Sequence, residues 1–489
     1  MNKLEPPSLQ NLAIESLVRN KELAIDALKA LPAAFFPPLF LEAYRHECLE
    51  ILKAMVPAWP FPYLPLGGLE PNMVPWNPSV SAVLDGIDVL LAQSVGPRRC
   101  KLQVLDLRNT GQEFWTGRTG IKLSGHSPRV EPQTSQCSRM KKQSPLLEIF
   151  TRLHVHDWCP DSFSSYLLEW VKKRKAVHVC FVKVTIVSVL SSSCRFQYAE
   201  LLCIKELEVY NTWTLPTLKM FAHLMGKMKN LKKLTLRIHT PAATTHEELE
   251  LGRRCVSQFT SQFLHLRHLT ELYLQSPSFL QGHLEQLLRR LVTPLEILSL
   301  TNCTLTEGDL VHLFQSPHIS HLKELCLRGV PLTSVSNPLR ALLEVNAATL
   351  QHLDLGLCGL QDPQLEALLP ALSSCSQLNS LSLHGNRLSM ATLEKLLRCT
   401  SGLRRLRKEI YPAPLESFSS QGTLLPEIFD VLCSQFLRVL RDIGCPRTIL
   451  VSPKPCLSGM LMLGNWVVTV SCSNCLHHSK KLSFGLSEN

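Results

Sequence analysis

The stretch Leu350-Gln-His-Leu-Asp-Leu-Gly-Leu-Cys-Gly-Leu360 decides the fold, because its spacing of leucines returns at near-constant intervals along the chain. The next copy is Leu378-Asn-Ser-Leu-Ser-Leu-His-Gly-Asn-Arg-Leu388, which starts 28 residues later. Alternating leucines point to one side of a strand, so each copy predicts a short strand with one buried face. Cys358 and Asn386 follow the strand, where a polar side chain can satisfy backbone groups of the neighbouring turn.

The pattern Leu-x-x-Leu-x-Leu recurs through the second half of the chain, with starts at Leu269, Leu295, Leu322, Leu350 and Leu378. Upstream, residues 102–107 are a strong earlier copy, and residues 204–209 and 231–236 also fit the strand. Self-similarity at this period is the signature of the leucine-rich repeat. The spacing of apolar residues between the strands predicts helices over 282–291, 337–343, 362–369 and 390–397. The sequence therefore predicts an α/β leucine-rich repeat solenoid, a horseshoe of long repeats of about 28 residues behind an N-terminal helical docking segment.

Composition excludes several classes of protein. With 45% hydrophobic and 19% charged residues in 489, the chain is neither disordered nor collagen-like. A net charge of +11 spread over 489 residues is a lower density of positive charge than a dedicated nucleic-acid-binding protein carries. The sequence shows no signal-peptide pattern and no apolar run long enough for a membrane span, so we expect no membrane association. The 18 cysteines are then expected to be buried apolar residues in a reducing compartment, cytoplasmic, nuclear or both.

Period and composition divide the chain into four predicted parts. Residues 1–95 form the N-terminal helical segment, and residues 96–410 form the solenoid. A polar, Gly-, Ser- and Pro-rich insertion interrupts the solenoid at 111–144. Residues 411–456 are expected to form an irregular C-terminal cap, because the period is lost after Arg407 and prolines follow. Residues 457–489 fit no repeat and are expected to form an atypical, disordered tail.

Two short patterns in the N-terminal segment are typical of ubiquitin-ligase adaptors. Ser8 is a natural helix N-cap, and the helix that follows carries one apolar face made of Leu9, Leu12, Ala13 and Leu17. Such a face suits a hydrophobic groove, and its spacing resembles the BC box that binds elongin C. Further along, the apolar and proline positions resemble a cullin-2 box at Leu31, Pro32, Phe35 and Leu39. The alternative is that both segments are capping structure for the repeats.

Longer runs of sequence resemble the PRAME family (preferentially expressed antigen in melanoma) over residues 8–455. They include Phe-Pro-Pro-Leu-Phe at 36–40 and Tyr-Pro-Ala-Pro-Leu-Glu at 411–416. The other matching runs lie at 52–56, 58–61, 64–67, 82–93, 97–99, 101–108, 213–218, 258–263, 294–296, 301–303 and 315–317. The end of the chain departs from the family pattern, because Ser452-Pro-Lys-Pro-Cys456 runs into an unrelated segment from residue 457.

The resemblance implies the substrate-recognition subunit of a cullin-2 RING E3 ubiquitin ligase that promotes proteasomal degradation. The implied partners are elongin B, elongin C, cullin-2, a RING subunit and an unknown protein substrate, with a nuclear receptor or corepressor as a further partner. The family is also associated with repression of transcription, including retinoic-acid receptor signalling, with restraint of differentiation and apoptosis, and with proliferation. A non-ligase corepressor or scaffold that binds a nuclear receptor or chromatin partner through the horseshoe is the alternative.

Residues between the ladder leucines are expected to face the cavity and contact the substrate. They are Glu296, Ser299, Lys323, Cys326, His352, Asp354, Asn379 and Ser382. The sequence contains no phosphate-binding glycine loop, nucleophile elbow or zinc-protease motif, so we expect no catalytic residue and no cofactor. We assign no metal site either, because Cys472 and Cys475 with the two following histidines lack a second ligand pair.

Two further motifs have a structural and a functional interpretation. The basic run Lys172-Lys-Arg-Lys175 is of the kind that import receptors bind, but it also suits the C-terminal end of a helix over 161–173. Leu-x-x-Leu-Leu at 284–288, 339–343, 365–369 and 393–397 can dock on nuclear receptors. One copy in each repeat helix favours the structural interpretation, in which these leucines are core.

Overall fold

The computed structural model describes residues 8–69, 77–93, 99–116, 147–156, 159–187, 201–212, 214–239, 246–444, 448–452 and 468–471. They form two compact units, the first holding the described residues up to Ile204 and the second those from Lys205 onward. The division falls inside residues 96–410, the segment predicted to form the solenoid. Among the described residues, no helix is both long and apolar enough to cross a membrane.

The described part of the first unit contains seven α-helices and a small parallel sheet, and four of the helices precede its first strand. The helices are α1 Leu9–Arg19, α2 Lys21–Ala27, α3 Phe36–Arg45, α4 Leu49–Met55, α5 Pro78–Ala92, α6 Gln112–Thr116 and α7 Ser162–Lys172. The strands are β1 Tyr63–Leu64, β2 Val104–Asp106, β3 Leu147–His156, β4 Cys159–Pro160 and β5 Val177–Ile186. Strands β1, β2, β3 and β5 are parallel neighbours in that order, and β4 folds back antiparallel on the end of β3. Ser8 caps α1 as the sequence predicts, and its side chain accepts a hydrogen bond from the Asn11 N–H.

Trp59 forms the centre of the aromatic core of the first unit. Its ring is fully buried and lies edge-on to Phe40, with centroids 5.3 Å apart. Phe40 in turn stacks on Trp115, 5.4 Å away. Trp115 belongs to α6, which lies in the segment predicted as an irregular insertion. The insertion therefore begins with a helix that the core requires, and residues 117–144 of it lie outside the described residues.

A buried carboxylate connects the first two strands. Asp106 is completely buried and accepts hydrogen bonds from the Tyr63 hydroxyl at 2.8 Å and the Thr110 hydroxyl at 3.0 Å. Its other contacts come from the guanidinium and backbone N–H of Arg108. Burial, followed by the charge of Asp106, raises the pKa of the Tyr63 hydroxyl above its usual range. Tyr63 therefore remains a hydrogen-bond donor and ties β1 to β2.

The second unit is the repeat array. Its strands are β6 Glu206–Thr212, β7 Lys233–His239, β8 Glu271–Gln275, β9 Ile297–Thr301, β10 Glu324–Cys326, β11 His352–Asp354, β12 Ser380–Ser382, β13 Lys408–Pro412, β14 Thr448–Ser452 and β15 Val468–Ser471. Its helices are α8 Leu215–Met225, α9 His246–Ser261, α10 Leu284–Leu288, α11 Glu307–Phe314, α12 Ser336–Val345, α13 Asp362–Ser374, α14 Met390–Cys399 and α15 Pro426–Ile443. Each strand from β6 to β13 is parallel to the next in chain order.

The strand register explains why the leucine pattern predicts the fold. Leu272, Leu298, Leu325, Leu353 and Leu381 lie in one row across five strands, and all five are buried. Stacked repeats therefore share one continuous core. The four predicted helices are present. The Leu-x-x-Leu-Leu leucines are core residues as expected, with Leu284, Leu339, Leu365 and Leu393 at most 2% exposed, apart from the half-buried Leu369.

The array extends past its predicted end at residue 410. The next row position holds Glu409 in place of leucine, fully buried and in contact with the Tyr411 hydroxyl. Strand β13, helix α15 and strand β14 then continue the array through most of the region predicted as an irregular cap. In the segment predicted to be a disordered tail, residues 468–471 form β15, antiparallel to β14. The remaining tail residues lie outside the described part of the chain, including Cys472, Cys475 and the histidines after them.

Candidate interaction surfaces

Helix α1 has its apolar face in solvent. Leu9 is 87% exposed, Leu12 is 47% exposed, and Ala13 is exposed as well. Leu17 is half-buried, and Ile14 on the opposite side of the helix is buried. The face predicted for elongin C therefore does not serve as the core of the first unit. Exposing neighbouring leucines to water costs free energy, and burying them against a partner recovers it. This face is therefore a candidate protein-binding surface.

The second adaptor motif is partly internal. Pro32 is exposed and Leu31 and Phe35 are half-buried, in a segment that the Arg99 guanidinium holds by hydrogen bonds to the Leu28 and Leu31 carbonyls. Leu39 is fully buried in α3. The predicted direct contact of Leu39 with cullin-2 is therefore corrected, since the inward face of an amphipathic helix packs on its own domain. Leu39 positions the segment from inside.

The strand face of the second unit brings together half of the predicted substrate residues. Ser299, Cys326, Asp354 and Ser382 lie side by side in one row across β9 to β12. Ser382 is 7% exposed and bonds to the His384 Nδ1 at 2.8 Å, so it contributes little contact surface.

The other four predicted residues occupy different positions. His352 lies in the adjacent row, beside Glu324 and Ser380. Glu296, Lys323 and Asn379 precede their strands by one residue, and the Lys323 Nζ lies 2.8 Å from a Glu296 carboxylate oxygen. Glu296 and Ser299 are an odd number of residues apart, so the alternation of a strand cannot present both on one face. The predicted surface is therefore corrected to two rows. One runs through Ser299, Cys326, Asp354 and Ser382, and the other through Glu324, His352 and Ser380.

Charged and aromatic residues extend these rows into the first strands of the second unit, where the sequence analysis assigned none. Lys233 lies 4.9 Å from the centre of the Tyr273 ring and 4.0 Å from the Glu271 carboxylate. Arg237 stacks over Tyr210 at 5.0 Å. Burial, then the charge of Glu271, raises the pKa of the Tyr273 hydroxyl above its usual range. The signal was available in the sequence, because polar residues alternate with apolar ones at 206–210 and 233–237.

Three side chains of the metal-ligand type meet in the first unit, where no metal site is predicted from the sequence. The Cys180 sulfur lies 2.9 Å from the Cys203 sulfur and 3.5 Å from the His178 Nδ1. Ligand atoms of all three lie within 4.8 Å of one another. Among the described residues this is the one such group that combines histidine and cysteine ligands. Spacing alone missed it because Cys203 comes 23 residues after Cys180.

The basic run 172–175 has a structural role in the first unit. The Arg174 guanidinium pairs with the Asp88 carboxylate of α5, at 2.5 Å for one of the two contacts. It also lies over the Trp170 ring at 4.1 Å, and the Trp170 indole N–H donates to Asp88 at 3.2 Å. Lys172 pairs with Glu169 within α7. These contacts support the interpretation of the run as a helix end.

Models of known protein families match most of this chain. A family model for the PRAME N-terminal domain matches residues 6–115, and one for the PRAME C-terminal domain matches residues 147–472. The chain belongs to the PRAME family. The C-terminal match extends to residue 472, so the PRAME pattern reaches into the segment from residue 457 that was predicted to depart from the family.

The chain is similar to human members of the PRAME family over nearly its full length. It is 46% identical to PRAME family member 12, a match that covers 93% of this chain and 94% of the relative. It is 44% identical to PRAME family member 7, over 92% and 95% of the two chains. The crystal structure of the leucine-rich repeat-containing protein LegL7 from Legionella pneumophila covers 60% of this chain and 98% of its own, at 15% identity and a TM-score of 0.29.

Proposed function

We propose that this PRAME-family protein is the substrate-recognition subunit of a cullin-2 RING ubiquitin ligase. In this proposal the face of α1 binds elongin C, with elongin B attached, and the segment from Leu31 to Phe35 contacts cullin-2. The protein has no catalytic role of its own and directs a bound protein to proteasomal degradation in the cytoplasm or nucleus. Effects on transcription, differentiation, apoptosis and proliferation then follow from the loss of the degraded substrate.

The exposed apolar face of α1 carries the proposal. A helix that only caps the repeats turns its leucines inward, whereas Leu9 and Leu12 of α1 are left in water and Ile14 alone is buried. An amphipathic helix with leucines at this spacing fits a hydrophobic groove on a partner. Pro32 and the half-buried Phe35 lie at the start of α3, which packs against α1. The two predicted adaptor contacts are therefore available within one part of the first unit.

The rows of the second unit supply the substrate surface in this proposal. Lys233, Glu271 and Glu324 lie in one of these rows. Tyr273 and Asp354 lie in the adjacent row on the same face of the sheet. A mixed surface with an excess of carboxylates and a cation–π pair suits a polypeptide segment that carries basic residues. A rigid repeat scaffold holds these side chains in place, so little conformational entropy is lost on binding.

The test is reconstitution of the full chain with elongin B, elongin C and cullin-2. Leu9→Ala/Leu12→Ala should weaken capture of elongin by about tenfold or more, since two apolar contacts of about 1 kcal/mol each are removed. Leu31→Ala/Pro32→Ala should retain elongin and lose cullin-2. Leu23→Ala is the matched control, because Leu23 is 53% exposed on the neighbouring helix α2 and lies outside both motifs; it should bind like wild type.

Two outcomes contradict the proposal. In one, wild type captures no elongin or cullin-2 from the purified components. In the other, Leu9→Ala/Leu12→Ala captures as much as Leu23→Ala. Either result leaves the corepressor or scaffold alternative, in which the strand rows bind a partner without a ligase.

A further inference from the structure

The cluster of His178, Cys180 and Cys203 has a local structural basis. His178 and Cys180 are two residues apart on β5, so their side chains project from the same face of the strand. Cys203 ends the short 3₁₀ turn Leu201–Cys203, which brings its sulfur to the Cys180 sulfur. All three residues belong to the first unit. A strand and a turn that are distant in sequence therefore converge on one point.

One of the distances between the ligand atoms already matches a tetrahedral metal ion, and all three ligand atoms lie within 4.8 Å of one another. Zn–S bonds of about 2.3 Å and Zn–N bonds of about 2.0 Å place neighbouring ligands about 3.5 to 3.8 Å apart in a tetrahedron. The His178 Nδ1 and the Cys180 sulfur are already 3.5 Å apart. The two sulfurs, at 2.9 Å, would separate by about 0.9 Å to reach that geometry. A small rotation of each cysteine side chain supplies such a movement.

The surroundings match those of a zinc site. Cys180 and Cys203 are 6% and 7% exposed, so solvent is largely excluded from the sulfurs, while His178 is half-buried. Glu148 on β3 lies directly opposite His178 in the strand register. A carboxylate beside a ligating imidazole is a common second partner in zinc sites, because it orients the ring.

We propose that His178, Cys180 and Cys203 bind one zinc ion, with a solvent molecule in the fourth position. The two thiols give up their protons to solvent on binding, and the resulting zinc dithiolate carries no net charge. The neutral centre suits a buried position. The ion would fasten the turn Leu201–Cys203 to β5 and so stabilise the first unit. The histidine favours a metal over a Cys180–Cys203 disulfide, which would need no third group.

Cobalt(II), added to the reduced full-length chain without oxygen, is the probe. Tetrahedral thiolate coordination should give sulfur-to-cobalt absorption in the near ultraviolet and d–d bands in the visible, saturating at one equivalent that zinc displaces. Cys180→Ser and Cys203→Ser should abolish these bands, and His178→Gln should weaken binding by about tenfold or more. Circular dichroism checks that each variant folds, and His178→Gln alters a half-buried side chain that folding tolerates best.

Two controls locate the site. Cys255→Ser changes a buried cysteine of the second unit, and Cys472→Ser/Cys475→Ser removes the cysteines near the end of the chain. Both should bind cobalt like wild type. The proposal is overturned if reduced wild type shows no thiolate–cobalt bands, or if only Cys472→Ser/Cys475→Ser removes them. It is also overturned if the pair is isolated as a disulfide, two hydrogens lighter by intact mass, and binds no cobalt after reduction.

Discussion

The side-chain Oδ1 of Asn386 accepts a hydrogen bond from the backbone N–H of Cys358, its counterpart one repeat earlier, at 3.1 Å. The same oxygen accepts the Leu360 N–H at 3.0 Å, and the Nδ2 donates to the Leu355 and Leu383 carbonyls. Asn386 is only 5% exposed. One side chain therefore satisfies four backbone groups of two adjacent turns, which water does not reach.

Replacement of this asparagine should destabilise the repeat array. Asn386→Ala leaves buried backbone donors and acceptors without partners, so the free energy of unfolding should fall by about 2 to 4 kcal/mol. Urea unfolding followed by circular dichroism measures the change. An Asn386→Ala midpoint equal to that of wild type would contradict the role of the side chain.

A cysteine at the same position should restore part of the stability. Cys358 occupies the equivalent turn and donates from its sulfur to the Leu327 carbonyl at 3.1 Å. Asn386→Cys can make such a bond but cannot accept from two N–H groups, so its midpoint should lie between those of Asn386→Ala and wild type. If Asn386→Cys is the less stable variant, the two turn types are not interchangeable.

Loss of the buried Asp106 carboxylate should be costly in the first unit. Asp106→Ala removes the partner of the largely buried Arg108 and of Tyr63, and should lower stability by about 3 to 5 kcal/mol. The matched control is Asp85→Ala, because Asp85 is half-exposed and lies 3.8 Å from Lys53. An exposed pair of this kind contributes about 1 kcal/mol or less. Equal thermal midpoints for the two variants would contradict the prediction.

Stability should fall in alkaline solution because of buried thiols. Burial raises the pKa of Cys375 to about 11. The native state therefore keeps the Cys375 proton at a pH where the unfolded state has released it. The stabilisation from this thiol is fully present below the ordinary pKa of cysteine and is lost as the pH rises towards 11. The expected slope is about 1.4 kcal/mol per pH unit in this window. Cys375→Ala is less stable at pH 7.5 because it lacks a buried sulfur, but it has no thiol at this position to titrate. The gap between the urea midpoints of wild type and Cys375→Ala should therefore narrow from pH 7.5 to 9 and 10, and a constant gap would rule out the effect.

Gly356 should not tolerate a side chain. A Cβ atom there would lie 2.2 Å from the His384 ring, which is held by its bond to Ser382. Gly356→Ala should therefore cost about 1 to 3 kcal/mol through overpacking. In the double variant with His384→Ala the clash disappears, so the two losses should not add. Strict additivity of the unfolding free energies would show that the ring moves away freely.

The repeat strands were predictable because each depends on residues within six positions of one another. Leu350, Leu353 and Leu355 reveal both the strand and its buried side. Strand β13 was not predicted in this way, because Glu409 occupies a leucine position and a carboxylate there indicates the end of the array. Only the neighbouring Tyr411 and the register with β12 show that the strand continues. Helix α11 was missed as well, although Thr306 and Asp309 form a capping box at its start.

The candidate surfaces, too, were only partly predictable from the sequence. The face of α1 was visible as a periodicity, but whether Leu9 and Leu39 face solvent or core depends on the elements packed against them. The substrate rows needed the register, because the count from the leucines placed Glu296 and Lys323 on the wrong side of the alternation.

The sequence by itself determined the repeat, the α/β solenoid, the turn chemistry of Cys358 and Asn386 and the family, since all of these are written in local spacing. The tertiary structure decided which apolar face stays in solvent, which polar residues share a row, and that His178 and Cys180 meet Cys203. These relations join parts of the chain that are separated in sequence, and burial and proximity between such parts are set by packing rather than by local pattern.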